Sequence, residues 1–231
     1  MNSEEYVAAI VHYNTPTLTQ AAIRSLWKHS PGVGVIVFDN SDREPFPKMD
    51  GVEIIDNTRG QVIDFDIWLS QFQNKLTTVN RWASAKHCYT VQWLINKRRN
   101  PFVLMDSDVL IRQDIAPLWI RSQAFVGQVK PHSSKYGIKV DRVLPFLCYV
   151  GVPVLKQGGA TYFNPKKMYA LTSRRPDCAY DTGCWFLEDV KTRGLPYQEK
   201  SIEPYCLHFG HGSWKGKKAD DWLEANKELW G

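Results

Sequence analysis

Two aspartates, Asp106 and Asp108, flank Ser107 directly after the apolar run Phe102-Val-Leu-Met105. A carboxylate at the end of a buried strand is costly unless a cation or hydrogen-bond donors meet it there. In extended backbone, alternation places residues 106 and 108 on one side and 107 on the other. Two carboxylates so placed suit a hard divalent cation such as Mg2+ or Mn2+, which prefers oxygen ligands. The alternative is a turn in which an aspartate caps its own backbone. Spacing alone does not decide. With 15 aspartates in 231 residues, about one Asp-x-Asp is expected by chance, and two occur. The other, Asp64-Phe-Asp66, has no strand behind it and reads as a surface feature.

The elements that must position these groups follow from hydrophobic periodicity. Tyr6–His12, Val33–Phe38, Val52–Ile55 and Phe102–Met105 are apolar runs of strand length. A helix follows Asn14-Thr-Pro16, with Thr17 and Gln20 at capping-box spacing, and a second covers Ala83–Lys97. Residues 61–80 stay ambiguous. Alternating strands and helices predict an α/β fold with a mostly parallel, Rossmann-like central sheet flanked by helices. Ligands of such sheets bind beyond the carboxyl ends of the strands. Asn14, Asp39, Asn57, Asp106 and Asp108 all fall at those ends.

The second half reads as a smaller mixed region. Short β-like runs at Phe125–Val129, Phe146–Val154 and Thr161–Phe163 precede a helix over Asp181–Thr192 and a packed terminal helix over Asp220–Trp230. With no repeat, low-complexity segment or linker, residues 1–231 read as one domain. Its first half, about 1–114, would bind one ligand, and about 115–231 a second.

Composition narrows the classes. The formal charge of +5 is spread along the chain, with dense clusters only at Lys97-Arg98-Arg99 and Lys215-Gly-Lys-Lys218. A nucleic-acid reader would show a stronger bias and a reading module. The five cysteines stand at 88, 148, 178, 184 and 206 with no CxxC pair, the pattern of a reduced protein. No apolar run reaches the length of a membrane span, and the acidic N-terminus does not read as a signal peptide. The expected location is the cytoplasm.

Taken in order, the motifs resemble the inverting glycosyltransferases of family 2, which have the GT-A fold. Ile10-Val-His-Tyr-Asn14 resembles the family's first strand and nucleotide loop, and Val37-Phe-Asp-Asn-Ser-Asp42 its second strand with a base-binding aspartate. Asn57-Thr-Arg-Gly60, the Asp106-Ser-Asp108 pair, and His208-Phe-Gly-His-Gly-Ser213 resemble its later elements. The resemblance implies transfer of a hexose-type sugar from a nucleotide diphosphate donor, uridine-linked by preference, to a hydroxyl on a glycan or lipid-linked acceptor. Such transfers build surface polysaccharides and other glycans. A lipid-linked acceptor would bring the protein to the inner face of a membrane as a peripheral partner.

Residue by residue, the resemblance implies that Asp39 reads the uracil ring while Tyr13 and Asn14 frame it. Asn57 and Arg59 would lie near the donor, with Lys86 and His87, close to a helix start, as further diphosphate contacts. Asp106 would touch the ribose or the metal's outer shell, Asp108 would ligate a divalent cation (Mn2+ or Mg2+), and His208 or His211 would complete the site. The resemblance implies a carboxylate base, which would be Asp181, at a helix start, or the literal pair Glu188-Asp189, which sits out of register with the family. A metal-dependent nucleotidyltransferase is the rival enzyme class, although the first β–α turn, His12-Tyr-Asn-Thr-Pro16, lacks that class's glycine-rich loop. A non-catalytic sugar-binding relative is the other alternative.

Overall fold

The computed structural model describes residues 6–70, 82–133, 139–164, 182–210 and 216–231. Its centre is a seven-stranded sheet. The strands are β1 (Val7–His12), β2 (Gly34–Asp39), β3 (Val52–Asp56), β4 (Phe102–Asp106), β6 (Phe125–Ser133), β7 (Lys139–Val150) and β8 (Gln198–Glu199), in the order β3-β2-β1-β4-β7-β6-β8. The pairs β1–β2, β2–β3, β1–β4 and β6–β8 are parallel, whereas β7 runs antiparallel to both β4 and β6. The expected α/β architecture is therefore present, with a mixed second half.

Strand alternation divides the core into two layers. On one face Ala9, Phe102 and Leu104 pack with α3 (Trp82–Lys97), α4 (Val152–Gly158) and α5 (Cys184–Thr192) through Val91, Leu94, Leu155, Phe186 and Val190. On the other, Ala8, Ile10, Val103 and Met105 meet α1 (Pro16–His29) through Ala22, Ile23 and Leu26. All of these side chains are buried, and each large aliphatic one contributes about 1.5–3 kcal/mol of burial. A second, two-stranded ladder pairs β5 (Val109–Ile111) with β9 (Cys206–His208) antiparallel.

Four local readings change. The capping box at Thr17 is absent: α1 begins at Pro16, whose missing N–H suits the first helical position, and Thr15 precedes it. The run Phe146–Val154 is divided, because Gly151 ends β7 and Pro153 stands in the first turn of α4. Thr161–Phe163 is not a strand. The terminal helix breaks at Asn226 into α6 (Gly216–Ala225) and α7 (Lys227–Trp230), which pack on α1. Of the ambiguous segment, the short helix α2 (Phe65–Ser70) is described. Asp64 Oδ1 accepts from the N–H groups of Asp66 and Ile67, so the decoy Asp-x-Asp is the N-cap of that helix.

β7 carries the sharpest irregularity. Its pairing with β6 jumps from Gly127↔Cys148 to Val129↔Val143, so residues 144–147 stand opposite Gln128 alone, a bulge around Pro145, while Leu147 keeps its place beside Met105 of β4. Bulges re-aim side chains; here Phe146 is turned toward the end of β9. Just below, Gly183 caps α5 in left-handed backbone (φ 84°) and its carbonyl accepts from the Val143 N–H.

Candidate metal and donor site

Register aligns the strand ends. His12 lies beside Asp39 and Asp39 beside Asp56, while Asp106 closes β4 beside Val11. The chain then turns at Ser107, whose Oγ accepts from Thr15 Oγ1 at 3.2 Å, tying the turn to the start of α1. β5 follows, and its ladder with β9 sets Val109 against His208. Phe209 N–H extends the ladder by donating to the Asp108 carbonyl at 3.0 Å.

This ladder brings the tail histidine to the two aspartates. One ligand atom each from Asp106, Asp108 and His208 lie within 4.8 Å of one another, with His208 Nε2 3.3 Å from Asp108 Oδ1. Two carboxylate oxygens and one imidazole nitrogen form a donor set suited to Mn2+ or Mg2+. The thiols of Cys88, Cys148, Cys184 and Cys206 are buried, and none of them joins the cluster. Phe146, aimed by the bulge, stacks on the His208 ring with centroids 4.0 Å apart and planes at 14°.

The surroundings favour the charged forms of the Asp106 carboxylate and the His208 imidazole. Burial pushes the Asp106 carboxyl up, but His87 beside it, with the charges of His208 and Arg142, brings it below the ordinary value. Burial likewise lowers His208, yet its hydrogen bond to Asp108 and the charges of Asp108 and Asp106 outweigh that and raise it.

The loop at the end of β2 bears on the base-reading assignment. Asp39 is 2% exposed, and its two oxygens accept from Ser41 N–H at 2.9 Å and Phe46 N–H at 2.7 Å. It shapes the 40–46 turn and does not face outward. Asp42 does: Tyr13 Oη donates to it at 2.9 Å and Asn14 Nδ2 at 2.6 Å. The Asn14 amide holds the Asp42 carboxyl below its ordinary value, with Tyr13 and Arg43 adding to the effect. Asn14 itself has φ 53°, and its Oδ1 accepts from the Arg43 and Glu44 N–H groups. Tyr13 stays 40% exposed, which leaves its ring face available to a planar ligand.

The remaining candidates separate. Asn57 is buried, with Oδ1 accepting from Val62 and Ile63 N–H and Nδ2 donating to Asn40 Oδ1, so it pins its own turn. Arg59 is exposed at the tip of that turn. Lys86 and His87 sit in the first turns of α3, where Lys86 lies over the Phe65 ring and His87 reaches Asp106. Asp189 is also buried. Its Oδ2 accepts from the Thr161 N–H at 2.7 Å and Oδ1 pairs with Arg193 Nε at 2.9 Å, which commits it to holding the 158–164 loop. Glu188 is half-buried, and Asp181 and His211 lie outside the described residues. Phe146, Asp42 and the His87 contact had no local signature in the sequence, since a bulge, a loop fold and a helix phase create them.

His12 and His208 have opposite pH linkage. Burial lowers His12, although Asp39 and the Glu44 carbonyl oppose that, so its stabilising share is complete above the ordinary 6.5 and is lost as pH falls through the lower folded value. His208 is raised, so its share is present below 6.5 and is lost as pH rises through the raised value. His208→Asn removes the second effect. The urea midpoint of that variant should fall between about pH 7.5 and about pH 5.5; a flat or rising midpoint would contradict the assignment of His12.

No family model matches the chain, and no characterised protein matches it in sequence. Solved structures do. The galactosyltransferase LgtC, crystallised with donor and acceptor sugar analogs, superposes with a TM-score of 0.54 at 12% identity, over 83% of this chain and 73% of LgtC. The apo form of the glycosyltransferase GlyE of Streptococcus pneumoniae TIGR4 gives 0.50 at 12% identity, over 96% of this chain and 60% of GlyE. This chain thus spans about three-fifths of GlyE's length. No helix among the described residues is long and apolar enough to cross a membrane. At these identities the likeness is one of architecture: the chain shares the α/β fold of these two structures, and its Asp106–Asp108–His208 cluster lies where β4 ends and the β5–β9 ladder begins.

Proposed function

We propose that the protein is a glycosyltransferase that moves a sugar from a nucleotide diphosphate donor, by preference a uridine diphosphate sugar, to a hydroxyl acceptor. The observation that carries this reading is the Asp106–Asp108–His208 cluster at the sheet's carboxyl edge, in a glycosyltransferase architecture. In this reading Asp106, Asp108 and His208 hold a divalent cation, which supplies positive charge to the departing diphosphate. Tyr13, Asn14 and Asp42 receive the base, with Asp42 taking the reading role that burial denies to Asp39. Residues 1–114 serve the donor and 115–231 the acceptor.

The chemistry is a single in-line displacement with inversion. The acceptor oxygen forms its bond to the anomeric carbon as the bond from that carbon to the diphosphate oxygen breaks. The acceptor's proton must leave to a carboxylate on the face opposite the diphosphate. Asp181 takes it, with Glu188 as the second candidate; Asp189 is committed to Thr161 and Arg193. Family 2 is the grouping that the sequence motifs resemble. The acceptor class is a glycan or lipid-linked glycan, and the latter would bring the protein to a membrane face as a peripheral partner.

One experiment addresses donor, metal and base together. A panel of nucleotide sugars is scored for thermal stabilisation with and without Mn2+, and products are read by NMR for anomeric configuration. A Mn2+-dependent shift with at least one uridine diphosphate sugar is expected, and Asp181→Asn should keep that shift while losing transfer. Absence of a shift with every donor would overturn sugar transfer. Transfer retained by Asp181→Asn would move the base to Glu188, and a retained anomer would overturn the single displacement.

A further inference from the structure

Asp106 and Asp108 are held in different ways. Asp108 is fixed by the β5–β9 ladder, through its carbonyl to Phe209 N–H and its carboxylate to His208. Asp106 stands at the free end of β4, and among the described residues the one basic side chain within 4.0 Å of its carboxylate is His87. His87 Nε2 lies 3.4 Å from Asp106 Oδ1, with the side chains 18% and 26% exposed. Both ring nitrogens of His87 are buried without a well-formed hydrogen bond among the described residues. A buried imidazole left in this state is unfavourable unless a partner arrives or a nearby group tightens onto it.

The helix carrying His87 is rigidly seated. Ala85 and Cys88 on either side of it are buried in the core. One turn on, Thr90 Oγ1 accepts from Asn40 Nδ2 at 3.0 Å, and Asn40 Oδ1 accepts from Asn57 Nδ2 at 2.8 Å. α3 is thereby locked to the ends of β2 and β3, and His87 meets Asp106 from a fixed position.

Resting on the metal reading above, we infer that His87 is a positioning residue for the cation site: it fixes the orientation of the Asp106 carboxylate and so preorganises the Asp106–Asp108–His208 cluster. Side chains that orient a metal's ligands in this way are worth about 10- to 100-fold in metal affinity when removed.

The test is Mn2+ alone titrated into the metal-free protein, read by calorimetry and electron paramagnetic resonance, without nucleotide or acceptor. His87→Leu should weaken Mn2+ by about 10- to 100-fold while its metal-free melting temperature is unchanged or higher. His87→Gln, which keeps a donor, should recover most of the affinity. Should the leucine variant not fold, His87→Ala carries the same comparison. Equal Mn2+ affinity in the unsubstituted and leucine proteins, or a glutamine variant no better than leucine, overturns the positioning role and leaves the metal reading standing. Failure of the unsubstituted protein to take up Mn2+ overturns the metal reading itself, and this inference with it.

Discussion

Asp108→Ala is expected to lose Mn2+ binding and to lower kcat/KM for sugar transfer by at least about 10³-fold, with the fold intact. The cause is local. The Asp108 carboxylate faces His208 Nε2 at 3.3 Å and shares the ligand cluster, so alanine removes one of three donor atoms. What places the segment is the Asp108 carbonyl, which accepts from Phe209 N–H, and alanine keeps that bond. The variant should therefore melt close to the parent. It also removes the first cause that raises His208, whose titration should move down toward or below its ordinary value. Asp64→Ala is the matched control, with the same Asp-x-Asp spacing but a helix-capping role. It should cost about 1 kcal/mol of stability and leave transfer unchanged. Undiminished turnover by Asp108→Ala would remove the cation site from the mechanism.

Gly183→Ala should give the largest loss of stability among single methyl additions near the site. Gly183 has φ 84°, where an L side chain is strained by about 1–2 kcal/mol. A Cβ there would also stand 2.1 Å from the Val143 carbonyl oxygen, a backbone atom that cannot rotate away. Either α5 must withdraw or β7 must bend, at the strand whose bulge seats Phe146 on His208. A loss of about 3–5 kcal/mol is expected, a fall in melting temperature on the order of 10 °C for a chain of this length. Gly194→Ala isolates the conformational share, since φ there is 63° with nothing within 4 Å of the added carbon. That variant should cost about 1–2 kcal/mol. Equal losses at the two positions would mean that the contact with Val143 yields readily.

The parallel half was legible because buried parallel strands are continuous apolar runs and their carboxyl ends must be polar. Asp106 and Asp108 were readable as carboxylates at such an end, and His208 from the family resemblance, although Ser107-Asp108 form a turn and not the extended backbone whose alternation was expected to pair them. The direction of a strand-end side chain was not. Asp39 and Asn57 have the right types at the right ends, yet each turns inward to satisfy backbone N–H groups of its own loop, and Asp42, three residues on, is the carboxylate left facing out. The boundary between β7 and α4 was misread because an apolar run looks alike in a strand and a buried helix. The Gly151-Val-Pro153 sequence carried the signal for the break. Phe146 and His87 act through a bulge and through helix phase, which arise from tertiary packing.

The β5–β9 ladder has a kinetic consequence. Most of the second half of the chain lies between Val109 and His208, so this pairing is among the most non-local in the molecule. Non-local pairings carry the largest loop-closure entropy and tend to form late. The parallel sheet can assemble while Asp106 and Asp108 still lack their histidine, and ligand-binding competence then arrives as a final docking of the tail. Refolding followed by tryptophan fluorescence should run ahead of the recovery of Mn2+ affinity, so that the candidate cation site is the last part of the protein to mature.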